Sequence, residues 1–110
     1  APGRLAGVWA WIYEEDYWDR RRAQPGEEAR YVGTGGAVFP LELVADRRFF
    51  TDLPARFGFL EDIWASDRIR RAGGQLRAVD TPLEFVETET DQYHALIGAK
   101  AEFARWLAAR

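Results

Sequence analysis

The chain has 110 residues, with 18 acidic and 15 basic side chains, a formal net charge of −3, one His and neither Cys nor Met. One domain around one core fits that length, and 47% hydrophobic residues supply the core, so disorder, a disulfide scaffold, a thiolate metal site and a cysteine nucleophile are excluded. No apolar run reaches the roughly 18–20 residues of a membrane span and no cationic excess awaits phosphate, so a cytoplasmic protein without a nucleic-acid partner is expected.

Leu5 to Tyr13 is apolar nearly throughout and rich in aromatic and β-branched residues, which predicts a strand buried on both faces of a mixed or parallel sheet. From Glu14 to Arg30 the composition turns charged, with Glu14-Glu15-Asp16, Arg20-Arg21-Arg22 and a Pro25-Gly26 turn. That stretch predicts a long exposed connection. Tyr31 to Phe39 predicts a second strand stopped by Pro40, with Gly33, Gly35 and Gly36 where side chains would normally pack. A short helix is expected from Leu41 to Ala45.

The clearest signal runs from Glu61 to Ala72. Acids open it, Arg68, Arg70 and Arg71 close it, and Gly73-Gly74 follow, which matches the helix dipole at both ends. Gln75 to Val79 alternates like a short strand, ended by Asp80-Thr81-Pro82. Leu83 to Thr90 fits another extended piece, and the tail from Asp91 to Arg110 reads as helical with Gly98 as a candidate break. There Phe103, Trp106 and Leu107 stand at i, i+3 and i+4 on one apolar stripe. The order gives an α/β layer in which residues 5–13 and 31–39 are neighbouring strands. The long helix packs across them through Ala65 and Ile69.

The segment Gly33-Thr34-Gly35-Gly36 lacks both the Lys-Ser/Thr ending of a phosphate loop and the third glycine of a dinucleotide site. It reads either as a strand bent by glycines or as bare backbone that a ligand ring can approach. Glu61-Asp62 is an ordinary helix start. Yet Asp62, Ala65, Ile69 and Ala72 share one helical face at i, i+3, i+7 and i+10, which turns Asp62 towards the sheet. A carboxylate there can accept a proton from a bound hydroxyl, with Glu61 beside it to orient the ligand. Tyr13, Tyr17 and Trp18 with Arg20, Arg21 and Arg22 form either a sugar- and phosphate-recognising loop or a charged loop whose aromatics fold back. His94 is the only imidazole, so neither a His pair nor a Ser-His triad is supported. Lys100 is the only lysine.

In sequence order, Leu5-Ala6-Gly7-Val8, Val32-Gly33-Thr34-Gly35-Gly36-Ala37-Val38-Phe39, Glu61-Asp62-Ile63-Trp64-Ala65-Ser66 and Arg70-Arg71-Ala72-Gly73-Gly74 resemble the acceptor-binding half of a family 2 type glycosyltransferase with the GT-A fold. The resemblance covers most of residues 5–80 and, weakly, Thr90 to Leu96. It implies a partial GT-A-like mixed sheet with one long helix packed on it and a helical C-terminal tail, all in a single domain spanning 1–110. It implies that Asp62 matches the general base of an inverting transfer from a nucleotide sugar, with Glu61 its neighbour. Gly35, Gly36 and Trp64 then border the substrate, Tyr17 and Trp18 are candidates for stacking on it, and His94 is a candidate metal contact.

Enzymes of this type bind the nucleotide on an N-terminal half and hold manganese or magnesium through an Asp-x-Asp motif, which this chain lacks. The expectation is therefore half an enzyme. The donor, the acceptor and the divalent metal belong to the complete protein, the missing N-terminal half lies upstream or in a partner chain, and the isolated chain takes no cofactor. The alternative is a non-catalytic α/β module that binds a partner or self-associates, with Glu61-Asp62 serving only to start a helix.

Overall fold

The computed structural model describes residues 3–33, 36–82 and 96–110. Six strands run in chain order as β1 (Arg4–Gly7), β2 (Ala10–Ile12), β3 (Arg21–Arg22), β4 (Tyr31–Val32), β5 (Ala37–Val38) and β6 (Gln75–Ala78). The helices are α1 (Leu41–Val44), α2 (Glu61–Arg71) and α3 (Ile97–Ala108), with a 3-10 turn at Ala55–Phe57. The described strands form two three-stranded sheets. One has the order β5-β1-β6, with β1 antiparallel to β5 and parallel to β6. The other has the order β3-β2-β4 and is antiparallel throughout. The architecture is a small α/β domain.

Residues 5–13 do not form the single strand that their composition predicts. Gly7 pairs with Ala37 and Ala10 pairs with Val32, so Val8 and Trp9 on one side are matched by residues 33–36 on the other. Unequal lengths force the ladder to bulge and the strand divides. The two segments stay in register at the break, where the Val8 amide donates to the Gly36 carbonyl at 3.3 Å and the Gly33 amide to the Trp9 carbonyl at 2.7 Å. Arg22 covers the break: its guanidinium lies 4.2 Å from the Trp9 ring and donates to the Val8 carbonyl. Residues 5–13 and 31–39 are thus neighbours, as expected, but across two sheets.

The connection from Glu14 to Arg30 is also more structured than its polar composition predicts. β3 adds to β2, the Ala23 amide donates to Ala10, and the Gly26 and Ala29 amides donate to Ala78 and Leu76 at 3.0 and 2.8 Å. The segment satisfies backbone groups of β6 that would otherwise lie open at a sheet edge. Ala23, Ala29 and Tyr17 are buried in the process.

Helix α2 buries Ile63, Trp64, Ala65, Ser66, Asp67 and Ile69, and packs on β4, β6 and β1 as its small-residue face predicts. Ser66 fixes that contact. Its Oγ accepts the Val32 amide at 3.0 Å and donates to the Val32 carbonyl at 3.4 Å, completing the free side of β4. Leu5, Val32, Ile69, Leu76 and Ala78 form one core cluster beneath the helix. A second gathers Tyr17, Tyr31, Phe49, Phe57, Trp64, Phe103 and Leu107. Helix α3 joins it by the predicted stripe, with the Phe103 ring stacked on Phe57 at 4.4 Å. It runs through Gly98 without a break, because a glycine in the first turn weakens a helix less than the burial of Phe103 and Leu107 stabilises it. Asp67 and Arg71 tie the two helices: Arg71 Nε donates to Asp67 at 2.7 Å and its Nη2 to the Leu107 carbonyl at 2.6 Å. Among the described residues, no helix is long and apolar enough to cross a membrane.

Candidate functional site

The first turn of α2 places Glu61 on the surface and Asp62 half-buried at the edge of β4. Leu60 at the N-cap offers no side-chain hydrogen bond, so the acids of this turn supply the negative charge that the helix start favours. Asp62 Oδ1 accepts the Ile63 amide at 2.8 Å, while Oδ2 accepts the Tyr31 hydroxyl at 2.7 Å. Each oxygen retains a lone pair for a further donor.

Behind Tyr31 the polar contacts continue. Tyr31 is hydrogen-bonded to Tyr17 as well as to Asp62, and Arg20 Nη1 donates to the Tyr17 hydroxyl at 2.7 Å. Tyr31 has one proton, and it goes to the Asp62 carboxylate. Burial, then the Asp62 charge, pushes the Tyr31 phenol far above the usual tyrosine range. Arg20 is itself held over the rings of Trp11, Trp18 and Tyr17, at 4.0, 4.8 and 4.9 Å.

Lys100, on α3, interacts with the same carboxylates electrostatically. Burial lowers the pKa of its ammonium, the charges of Asp62 and Glu61 pull it back up, and Arg20 adds to the fall. Four parts of the chain thus converge: the loop after β2, strand β4, the start of α2 and the start of α3. The arrangement holds a carboxylate in one orientation, which suits the acceptance of a proton from a bound hydroxyl.

Three hollows lie around this region. One of about 580 Å³ separates the Glu14-Glu15-Asp16 loop from α3 at Ala101 and Arg105. Another of about 530 Å³ lies on the other side of that loop, against Tyr13, Asp19, Arg20 and Arg21. A hollow of about 210 Å³ lies on the Glu61 side of the helix start, lined by Phe39, Phe49, Phe50, Glu61 and Ala65.

The remaining sequence-predicted residues separate clearly. Trp64 is fully buried and its indole N–H donates to the Phe49 carbonyl at 2.7 Å, so it packs the core and does not face a ligand. Tyr17 is 1% exposed and its hydroxyl accepts from Arg20, leaving no ring face for stacking. Trp18 is partly exposed and its indole N–H donates to the Ile97 carbonyl, anchoring the loop to α3. Gly36 is exposed at a φ of 89°, a conformation that favours glycine, so a structural need accounts for it. Gly35 and His94 lie outside the described residues.

Sequence reasoning missed Tyr31 and Lys100. A buried tyrosine hydroxyl requires a polar partner, so Tyr31 inside an otherwise apolar strand was a usable signal. For Lys100 only its singularity stood out. Among the described residues, no group of three His, Asp or Glu side chains is arranged to hold a metal ion. No protein-family model, curated protein or solved structure matches the chain.

Proposed function

We propose that this chain is the acceptor-side part of an inverting nucleotide-sugar glycosyltransferase, with Asp62 as general base. The observation that carries the reading is the placement of Asp62, half-buried at a helix start and oriented by Tyr31. In the proposed step the acceptor oxygen bonds to the anomeric carbon. The bond from that carbon to the diphosphate breaks with its electron pair, and the acceptor proton passes to Asp62. Glu61 orients the acceptor. The donor and its divalent metal are bound by another half, upstream or in a partner chain, and a cytoplasmic setting gives access to nucleotide sugars.

The test is Asp62→Asn in a protein joining this segment to its donor-binding half. General-base assistance is typically worth about 10²–10⁴-fold, so transfer falls by that order while thermal unfolding changes little. Near-normal transfer would overturn the assignment, since Asn serves a helix start about as well as Asp.

A second reading, a non-catalytic α/β module that binds a partner or itself, draws on one observation. Val38, Leu41 and Phe59 are 71%, 74% and 64% exposed, large apolar side chains that a partner or a second copy could cover. Sedimentation of the isolated chain distinguishes self-association from a monomer.

A further inference from the structure

Arg68 stands half-buried in the second half of α2. Its guanidinium lies 5.7 Å from the centre of the Trp64 ring and 6.0 Å from that of Phe49, and among the described residues no carboxylate or carbonyl pairs with it. The two rings limit where the guanidinium can go, so its position is partly set before any ligand arrives. The next arginines of the helix are engaged. Arg70 and Arg71 share Asp67, at 3.2 and 2.7 Å, and Arg71 also donates to the Leu107 carbonyl. Arg68 and Arg71 line a hollow of about 240 Å³ together with Asp46, Phe49 and Ala72. Asp46 serves its own turn, where Oδ1 accepts the Arg48 amide at 2.9 Å and lies 3.7 Å from Arg48 Nε. Of the charges lining this hollow, only that of Arg68 lacks a counter-charge among the described residues.

A guanidinium presents its N–H donors in a planar fork, and the groups that match it two for two are carboxylate and phosphate. Charge decides between them. One unpaired cation answers one negative charge, and the Asp46 carboxylate in the same wall opposes a phosphate dianion more strongly than a monoanion. Volume sets the size: an apolar cavity of about 150 Å³ holds benzene, so this hollow takes a carboxylate whose body is no larger than about one ring. We propose that the hollow binds a small monocarboxylate, with its two oxygens on the Arg68 guanidinium and its hydrocarbon body against Phe49 and Ala72. Arg68 comes six residues after Asp62, roughly 9 Å further along the helix axis. The site therefore lies apart from the Glu61-Asp62 turn, and its assignment does not rest on the acceptor-side reading.

The experiment is an NMR titration of the 110-residue chain with benzoate, benzamide and inorganic phosphate, at neutral pH and constant ionic strength. Benzamide keeps the shape of benzoate without its charge. The expected result is saturable shifts of the Arg68 Nε–H and the Ala72 amide with benzoate, at an affinity about fivefold or more above those of benzamide and phosphate. Arg68→Gln abolishes the saturable shift at Ala72. Arg68→Lys, which keeps the charge without the fork and disturbs the fold least, weakens benzoate by about threefold or more. Arg105→Gln removes an equal charge from α3, away from the hollow, and leaves the affinity unchanged. Absence of saturation in the native chain, benzamide binding as tight as benzoate, phosphate binding tighter than benzoate, or benzoate binding indifferent to both Arg68 variants overturns the proposal. None of these outcomes bears on the transfer test of Asp62.

Discussion

The Tyr31 hydroxyl stands 2.7 Å from Oδ2 of Asp62, joining strand β4 to the first turn of α2. The contact links a sheet edge to a half-buried carboxylate. It also makes Asp62 dependent on the protonation of a neighbouring phenol.

That dependence has a definite sign. Burial and the Asp62 charge raise the folded-state pKa of Tyr31, whereas the unfolded chain releases the same proton above about pH 10. The stabilisation is complete below that pH and is lost as the pH rises beyond it. In a spectroscopic titration, Tyr31 phenolate is therefore expected to appear only as the chain unfolds. Tyr31→Phe removes this share of the alkaline loss and costs about 1–2 kcal/mol at neutral pH, because Asp62 loses a donor. Tyr31 ionising in the folded chain at the usual tyrosine pH would contradict the account.

Ser66 gives a second expectation, on stability alone. Its Oγ is the partner of the buried Val32 amide on the side of β4 that no described strand covers. Ser66→Ala leaves that amide unsatisfied, and urea unfolding is expected to show a loss of about 1–3 kcal/mol with an unchanged slope. A neutral result would mean that water reaches β4.

Helix α2 was legible in the sequence because propensity, charge and apolar period agree from Glu61 to Arg71. Its inward face was legible as well, since Ala65 and Ile69 lie where the period puts them. The divided sheet was not: the break at Val8-Trp9 comes from unequal lengths of two segments far apart in sequence, and no local pattern carries that information. The Glu14 to Arg30 segment was misread for a related reason. Its backbone is used by β6 while its charged side chains stay outside, and composition reports only the side chains. At the site, Asp62 was legible from helical spacing, but Tyr31 and Lys100 required tertiary contacts to be found.

Gly7 is a position where the two sheets allow no side chain. A Cβ there would lie 2.5 Å from Val32 Cγ1 and 3.3 Å from the Gly36 carbonyl oxygen. Gly7→Ala is expected to cost about 1–3 kcal/mol through overpacking. Since one clash is with a methyl group, Val32→Ala should relieve part of it. The double variant is then less destabilised than the sum of the two single changes by about 0.5 kcal/mol or more. Strict additivity would place the strain in the Gly36 backbone instead.

The last prediction concerns the donor. A nucleotide sugar brings a diphosphate whose charge an enzyme commonly offsets with a divalent cation on carboxylates. The described residues hold no group arranged for that cation, and the chain has no Asp-x-Asp. Arg20 is already engaged with Tyr17 and three aromatic rings, and Arg21 is paired with Glu27 at 3.0 Å. Calorimetry of the isolated chain with a panel of nucleotide sugars and manganese is therefore expected to give no dissociation constant tighter than the millimolar range. On the proposed acceptor-side reading, adding the donor-binding half restores affinity and Asp62→Asn does not reduce it. Micromolar donor binding by the isolated chain would mean that it assembles a diphosphate site of its own. The division into donor and acceptor halves would then fall, while the Tyr31–Asp62 contact would still need an explanation.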